Sequence, residues 1–160
     1  MDRRRFLVFV PALAASLAAS AAPAGQIPLA TDLQADGRDS RRRRVPLVIL
    51  FSLPGCPYCE VVRRSHLLPM LRDPQRSSRA IFRQVDIDSD QVVVGFDGAP
   101  TTHAAIARSY GVRSAPVVAF WDGEGRPLAD ALSGLLLPDF YSAYLEAALE
   151  TARSRLAGRG

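Results

Sequence analysis

The chain contains no lysine; all twenty of its basic residues are arginine. That bias belongs to composition rather than to function. Cysteine and histidine are nearly as scarce, at two residues each. Zinc sites take four ligands, usually two cysteine pairs or a pair with two histidines. Here one pair stands with His66 and His103, and neither histidine has finger-like spacing. Asp86 and Asp88 alternate with Ile87 as at a half-exposed strand end, so no metal is expected there. Excess charge is lacking too. The formal net charge is +4, and residues 1–24 hold three Arg and one Asp, which leaves +2 for the rest. That is too weak a field to argue for nucleic acid. The one basic cluster, Arg41 to Arg44, suits a solvated helix end or loop before a strand. A run long enough to cross a membrane is also missing, because the apolar stretch Phe6–Leu17 is short and interrupted by Pro11.

What is present is concentrated in Cys56-Pro57-Tyr58-Cys59, which holds both cysteines. Pro46 to Ser52 before it reads as a buried strand, and Glu60 to Leu68 after it reads as a helix. Cys56 then falls at a helix N-terminus, where free N–H groups and the helix dipole stabilise a thiolate. Pro57 takes the first helical position, where its missing N–H costs nothing. A Cys-x-x-Cys loop is so small that closing it removes little entropy from the unfolded chain. Such a bridge is a poor staple and a good exchanger, which favours redox chemistry over an inert disulfide or half a metal site.

Residues 1–24 are expected to be a signal peptide. Arg3-Arg4-Arg5 is a basic start, Phe6–Leu17 an apolar stretch, and Ala19-Ser20-Ala21 and Ala22-Pro23-Ala24 are small-x-small cleavage patterns. The alternatives are a retained anchor or a buried helix. Asp2-Arg3-Arg4-Arg5-Phe6-Leu7 also resembles a twin-arginine export signal, without the usual leading Ser or Thr and trailing Lys. Residues 25–44 form an N-terminal extension, and residues 45–156 the domain.

Along the domain, a helix near Thr31–Arg43 is capped by Thr31 or Asp32. Val45–Ser52 is a central strand, since a continuous apolar run implies burial on both faces. The helix from Pro57 groups Tyr58, Val61, Val62 and Leu68 on one face and is kinked or ended by Pro69. Ala80–Ile87 is a second strand, and Gln91–Phe96 a short third turned back at Asp97-Gly98. Thr101 or Thr102 caps a helix through Tyr110, closed by Gly111. Val117–Trp121 is a strand, Asp122-Gly123-Glu124-Gly125 a hairpin turn, and Leu128–Ser133 its partner. Pro138-Asp139 opens a last helix whose core stripe is Tyr141, Tyr144, Leu145, Ala148, Leu149 and Ala152. His66, His103 and Trp121 are expected in packing roles.

The resulting order, β-α-β-α-β-β-α with the dithiol at the first strand-to-helix junction, resembles the thioredoxin fold over roughly residues 45–152. Three segments carry the resemblance: Phe51 to Cys59, Tyr110 to Val118 with its Pro116, and the Asp-Gly hairpin followed by a strand and Gly134. Cys-Pro-Tyr-Cys matches glutaredoxins. The leader, Phe96-Asp97-Gly98 and the long last helix are similar to periplasmic thioredoxin-related proteins of the SoxW type.

The resemblance implies an α/β fold with a central mixed β-sheet flanked by helices. It implies that Cys56 attacks and Cys59 resolves, and that Pro116 is a cis-proline beside the disulfide. Ala115 would pair its backbone with a substrate strand, and Pro57 and Tyr58 would shape the site. Two departures matter. Thioredoxins carry a buried acid on the strand before the motif, with a basic residue often near it; the matching position here is Leu50, and no Lys exists. Glutaredoxins carry Gly-Gly after the proline strand, which is absent here.

The function expected is therefore an exported, periplasmic thiol–disulfide oxidoreductase that reduces specific protein disulfides, fed by a membrane thiol donor. It needs no cofactor and no metal, does not bind nucleic acid, keeps no membrane insertion after cleavage, and is a monomer. The alternatives are an oxidant that donates its disulfide, a copper-binding thiol chaperone and a redox-inactive binding module.

Overall fold

The computed structural model describes residues 25–135 and 138–158. The expected signal peptide, residues 1–24, lies outside the described residues.

Strand β1, Leu47–Ser52, is buried at all six positions, as its unbroken apolar run requires. It pairs in parallel with β2, Ile81–Asp86, and antiparallel with β5, Val117–Trp121. Strand β6, Pro127–Ser133, completes a mixed sheet of order β2-β1-β5-β6. Even positions of β1 (Val48, Leu50) face a layer that contains Val62, Leu67, Leu68, Tyr141, Leu145, Leu149 and Ala152. Odd positions (Leu47, Ile49, Phe51) face Leu33, Val93, Ile106 and Ala107. The central mixed sheet flanked by helices is thus the expected architecture.

Helix α1, Leu33–Arg43, starts where Asp32 accepts the Ala35 N–H at 2.7 Å, so Asp32 rather than Thr31 is the cap. Gly37 on α1 meets the β5–β6 hairpin so closely that an added Cβ would sit 2.2 Å from the Gly123 carbonyl oxygen. No other residue fits without moving the helix away. Residues 25–44, expected as an extension ahead of the domain, pack into it: Ile27, Ala30 and Leu33 are buried in the two core layers. Pro28 and Ala30 also hydrogen-bond Gln84 on the outer edge of β2.

Of the two expectations at Pro69, a kink or an end, the helix after the dithiol does not meet the second. It runs as α2, Pro57–Val61, a π-helical turn, Val62–Leu67, and α3, Leu68–Arg72, without ending at Pro69. An α-helical ladder would need an N–H that Pro69 lacks. The widened turn before it, in which Leu68 N–H bonds the Arg63 carbonyl, lets the chain pass the proline. The buried face then holds Cys59, Val62, Leu67 and Leu68, while Tyr58 and Val61 are exposed. A short helix α4, Pro74–Ser77, leads to β2.

Strands β3, Val92–Val94, and β4, Pro100–Thr102, form a separate hairpin, where only the first had been expected. Thr102 caps α5, His103–Ser109, by accepting the Ala105 N–H at 3.1 Å. His103 is fully buried; its Nδ1 accepts the Asp86 N–H at 3.1 Å, and Nε2 lies 2.8 Å from the Ala30 carbonyl oxygen. It ties the N-terminal segment to β2. Trp121 is buried and stacks on Tyr110 at 3.9 Å between centroids. Helix α6, Tyr141–Ala157, buries Tyr141, Leu145, Leu149 and Ala152, but Tyr144 is exposed because it points off the stripe.

Burial pushes the Tyr141 phenol up to about 12, and its hydroxyl has no partner among the described residues. The folded value lies above the ordinary 10.0, so the folded protein resists ionisation that the unfolded chain accepts. This contribution is intact below about pH 10 and is lost as the pH rises toward about 12. Without lysine, no ammonium titrates in that window. Denaturant midpoints should therefore fall across this alkaline range, and Tyr141→Phe should flatten part of the fall, the rest coming from Tyr110, whose phenol burial also pushes up. An equal fall in the variant would place the buried phenol elsewhere.

Candidate active site

β1 ends at Ser52, and Leu53-Pro54-Gly55 turns the chain toward α2, with Gly55 at φ +72°. Cys56 is the N-cap of α2, extended at φ −78° and ψ 112°. Its Sγ accepts the Cys59 N–H at 3.1 Å, and its carbonyl accepts the Glu60 N–H at 3.1 Å. Pro57 stands in the first turn, so the helix begins with few competing donors. Cys56 and Cys59 form a disulfide across 5.3 Å between Cα atoms. Cys56 is half-buried, whereas Cys59 is fully buried. A partner sulfur can therefore reach Cys56 and not Cys59.

Facing the disulfide is the loop into β5. The Cys56 Sγ lies 4.0 Å from the Ala115 carbonyl oxygen. The Ala115–Pro116 peptide is cis, and Pro116 is buried, its carbonyl accepting the Gly134 N–H at 2.8 Å. Pro57 and Tyr58 are exposed on the other flank. The residues expected at the site, Cys56, Pro57, Tyr58, Cys59, Ala115 and Pro116, thus converge. His66 and His103 stand apart from these residues. His66 bonds Ser142 at 2.8 Å beside Tyr141, and burial holds its imidazole below the ordinary value.

Leu50 is fully buried on the face of the sheet that packs against Val62. Its parallel neighbour on β2 is Gln84. The position where the resemblance puts an acid is apolar, with an amide beside it.

Polar groups gather instead at the rim. A cleft of about 560 Å³ opens beside Cys56, lined by Leu53 to Pro57 and by Glu60, Arg63, Arg64, Gln84 and Asp86. Arg63 donates from Nε to Gln84 at 3.0 Å and from Nη2 to the Ser52 hydroxyl at 2.9 Å, and it pairs with Glu60. Gln84 in turn donates to Asp86 at 2.7 Å. Glu60 also pairs with Arg64. A second cleft shares Glu60, Arg63, Arg64, Gln84 and Asp86 and adds Gly25 to Ile27 and Leu29. Sequence reasoning had not assigned this cluster to the site. Its signals were faint: Arg63 sits one turn past Cys59, Ser52 ends an apolar strand with a hydroxyl, and Gln84 and Asp86 alternate with buried Val85.

Comparisons with known proteins bear on this arrangement. Residues 33–149 match the family model of the thioredoxin-like domain. Among solved structures, a thioredoxin-fold protein from Helicobacter pylori superposes with a TM-score of 0.50 at 18% identity, over 72% of this chain and 79% of its own. Oxidised mitochondrial thioredoxin 3 from Saccharomyces cerevisiae gives 0.50 at 18%, over 78% and 93%. A thioredoxin from Malassezia sympodialis gives 0.50 at 18%, over 79% and 95%. At that identity the likeness is one of fold. A comparison with curated proteins gives no match.

The N-cap position of Cys56 carries an electrostatic consequence. In a Cys59→Ser protein, Cys56 is the only thiol, and the pH midpoint of its iodoacetamide reactivity should lie below the free-thiol value of about 8.5. A midpoint at or above that value would remove the helix terminus as a source of activation.

Proposed function

We propose, from the premise that this chain belongs to the thioredoxin-like domain family and bears a Cys56–Cys59 disulfide, that it is an exported thiol–disulfide oxidoreductase that reduces particular protein disulfides. The observation that carries the reading is the asymmetry of the pair. Cys56 is reachable and capped by helix N–H groups, and Cys59 is sealed beneath it.

The chemistry follows from that asymmetry. In the reduced protein the Cys56 thiolate attacks a substrate disulfide. A bond forms between Cys56 and one substrate sulfur, and the other leaves with the electron pair and takes a proton. Cys59 then loses its proton and attacks the Cys56 sulfur. The second substrate sulfur leaves as a thiolate, and the Cys56–Cys59 disulfide remains. Two electrons pass to the substrate, and its two thiolates take protons from water, which receives those that Cys56 and Cys59 give up. Ala115 offers backbone next to Cys56 for an extended substrate segment, Pro116 shapes that wall, and Pro57 and Tyr58 frame the other side.

Selectivity and direction rest on further features. With Leu50 beneath the site, the Cys59 proton has no carboxylate at that position to receive it. Turnover then depends on a substrate that aligns well. The leader, Phe96-Asp97-Gly98 and the long last helix favour a periplasmic reductant of the SoxW type over an oxidant. Electrons come from a membrane thiol donor, and the mature protein works as a monomer.

Purified protein should reduce insulin slowly with dithiothreitol and refold a reduced multi-disulfide protein poorly. Cys59→Ser should accumulate mixed disulfides through Cys56, while Cys56→Ser should not. Equal trapping by both variants would undo the role assignment, and efficient oxidative refolding would reverse the direction. Intact-mass measurement on a periplasmic fraction should give a chain beginning near Ala22 or Gly25. A cytoplasmic protein that keeps Met1–Ala21 would refute export.

A further inference from the structure

The polar knot around Arg63 does not belong to the dithiol exchange described so far. Three elements meet in it. Nε bonds Gln84 of β2, Nη2 bonds Ser52 at the end of β1, and Nη1 pairs with Glu60 on the first turn after the disulfide. The fork geometry of a guanidinium is what allows one side chain to satisfy all three, and an ammonium has no equivalent. Arg63 also sits in the π-helical turn, where its carbonyl accepts the Leu68 N–H.

The charges that face the Cys56 cleft are Glu60, Arg63 and Arg64 from the helix and Asp86 from β2. They are not equally screened. The Arg63 side chain is 18% exposed, against 75% for Arg64 and 40% for Glu60. A charge held out of water acts more strongly on its surroundings than one free in solvent. Arg63 is therefore the less screened of the two cations in the cleft.

We propose that Arg63 is a positioning residue for the dithiol chemistry: it locks the Cys56–Glu60 turn to the ends of β1 and β2 and stabilises the Cys56 thiolate through the cleft. This rests on the oxidoreductase reading and deepens it. Stabilising the thiolate stabilises the reduced protein, so Arg63 moves the dithiol–disulfide balance toward the dithiol. In this chain a cation at the rim tunes the pair, where Leu50 leaves no acid beneath it.

The test uses the full chain and substitutions of opposite sign. Cys56 titration is read by iodoacetamide in a Cys59→Ser background, and the dithiol–disulfide equilibrium is read against glutathione with both cysteines present. Arg63→Met should raise the Cys56 midpoint, slow alkylation at about pH 6 by about threefold or more, and shift the equilibrium toward the disulfide by a similar factor. Glu60→Gln removes an anion and should move both quantities the other way. Arg63→Lys, with charge but no fork, should fall between Arg63→Met and the parent. A folded Arg63→Met protein with an unchanged midpoint overturns the proposal, as does Glu60→Gln shifting in the same direction as Arg63→Met. If Arg63→Met does not fold, Arg63→Gln takes its place: a raised midpoint supports the proposal, and an unchanged or lowered one overturns it. A parent Cys59→Ser protein that titrates like a free thiol and traps no partner would instead sink the oxidoreductase reading itself. A parent that traps partners beside unresponsive variants would sink only the role of Arg63.

Discussion

Strand β1 has to be buried on both faces, and most of the structure follows from that constraint. Six consecutive residues with no exposed side can be satisfied only by a layer on each side and a neighbour on each edge. Helices α2, α3 and α6 supply one layer, and α1 and α5 with the small hairpin supply the other. A strand held so firmly fixes where its chain emerges. Leu53-Pro54-Gly55 then has little freedom in where it delivers Cys56, and Cys56 becomes both the nucleophile candidate and the cap of the next helix.

The same burial separates the two sulfurs. Cys59 lies on the face of α2 that packs onto the sheet with Val62, so it is sealed by the core rather than by a dedicated lid. Cys56 is one turn earlier and outside that contact. The chemical asymmetry of the pair is therefore a packing consequence. Beneath it, Leu50 makes the core continuous and apolar, and polar groups gather at the rim, where Arg63 joins Ser52, Gln84 and Glu60.

The N-terminal segment illustrates how a weak sequence signal acquires a firm place. Residues 25–32 have neither a clean period nor a long apolar run. Yet Pro28 and Ala30 bond Gln84, His103 reaches the Ala30 carbonyl, and Ile27 enters the core. Each contact joins residues far apart in sequence. Local pattern has no access to them, and for that reason residues 25–44 read as an extension when they pack into the fold. His103 is a related case: a lone histidine near a helix start carries no local sign of the two groups it joins.

Local chemistry was enough for the sequence to determine the strand–dithiol–helix junction, a capped start of α1 at Thr31 or Asp32, the Thr-capped α5 and the hairpin after Trp121. Each depends on residues within a turn of one another, on an unbroken apolar run, or on a cap that the backbone needs. Tertiary structure alone decided that the helix continues past Pro69, because the π-helical turn absorbs the missing N–H while Leu67, Leu68 and Met70 keep their grip on the core. It alone turned Tyr144 outward and drew Arg63, Ser52, Gln84 and Glu60 into one knot. Those outcomes depend on which side chains meet across the sheet, and that is a property of the packed layers rather than of any stretch of chain.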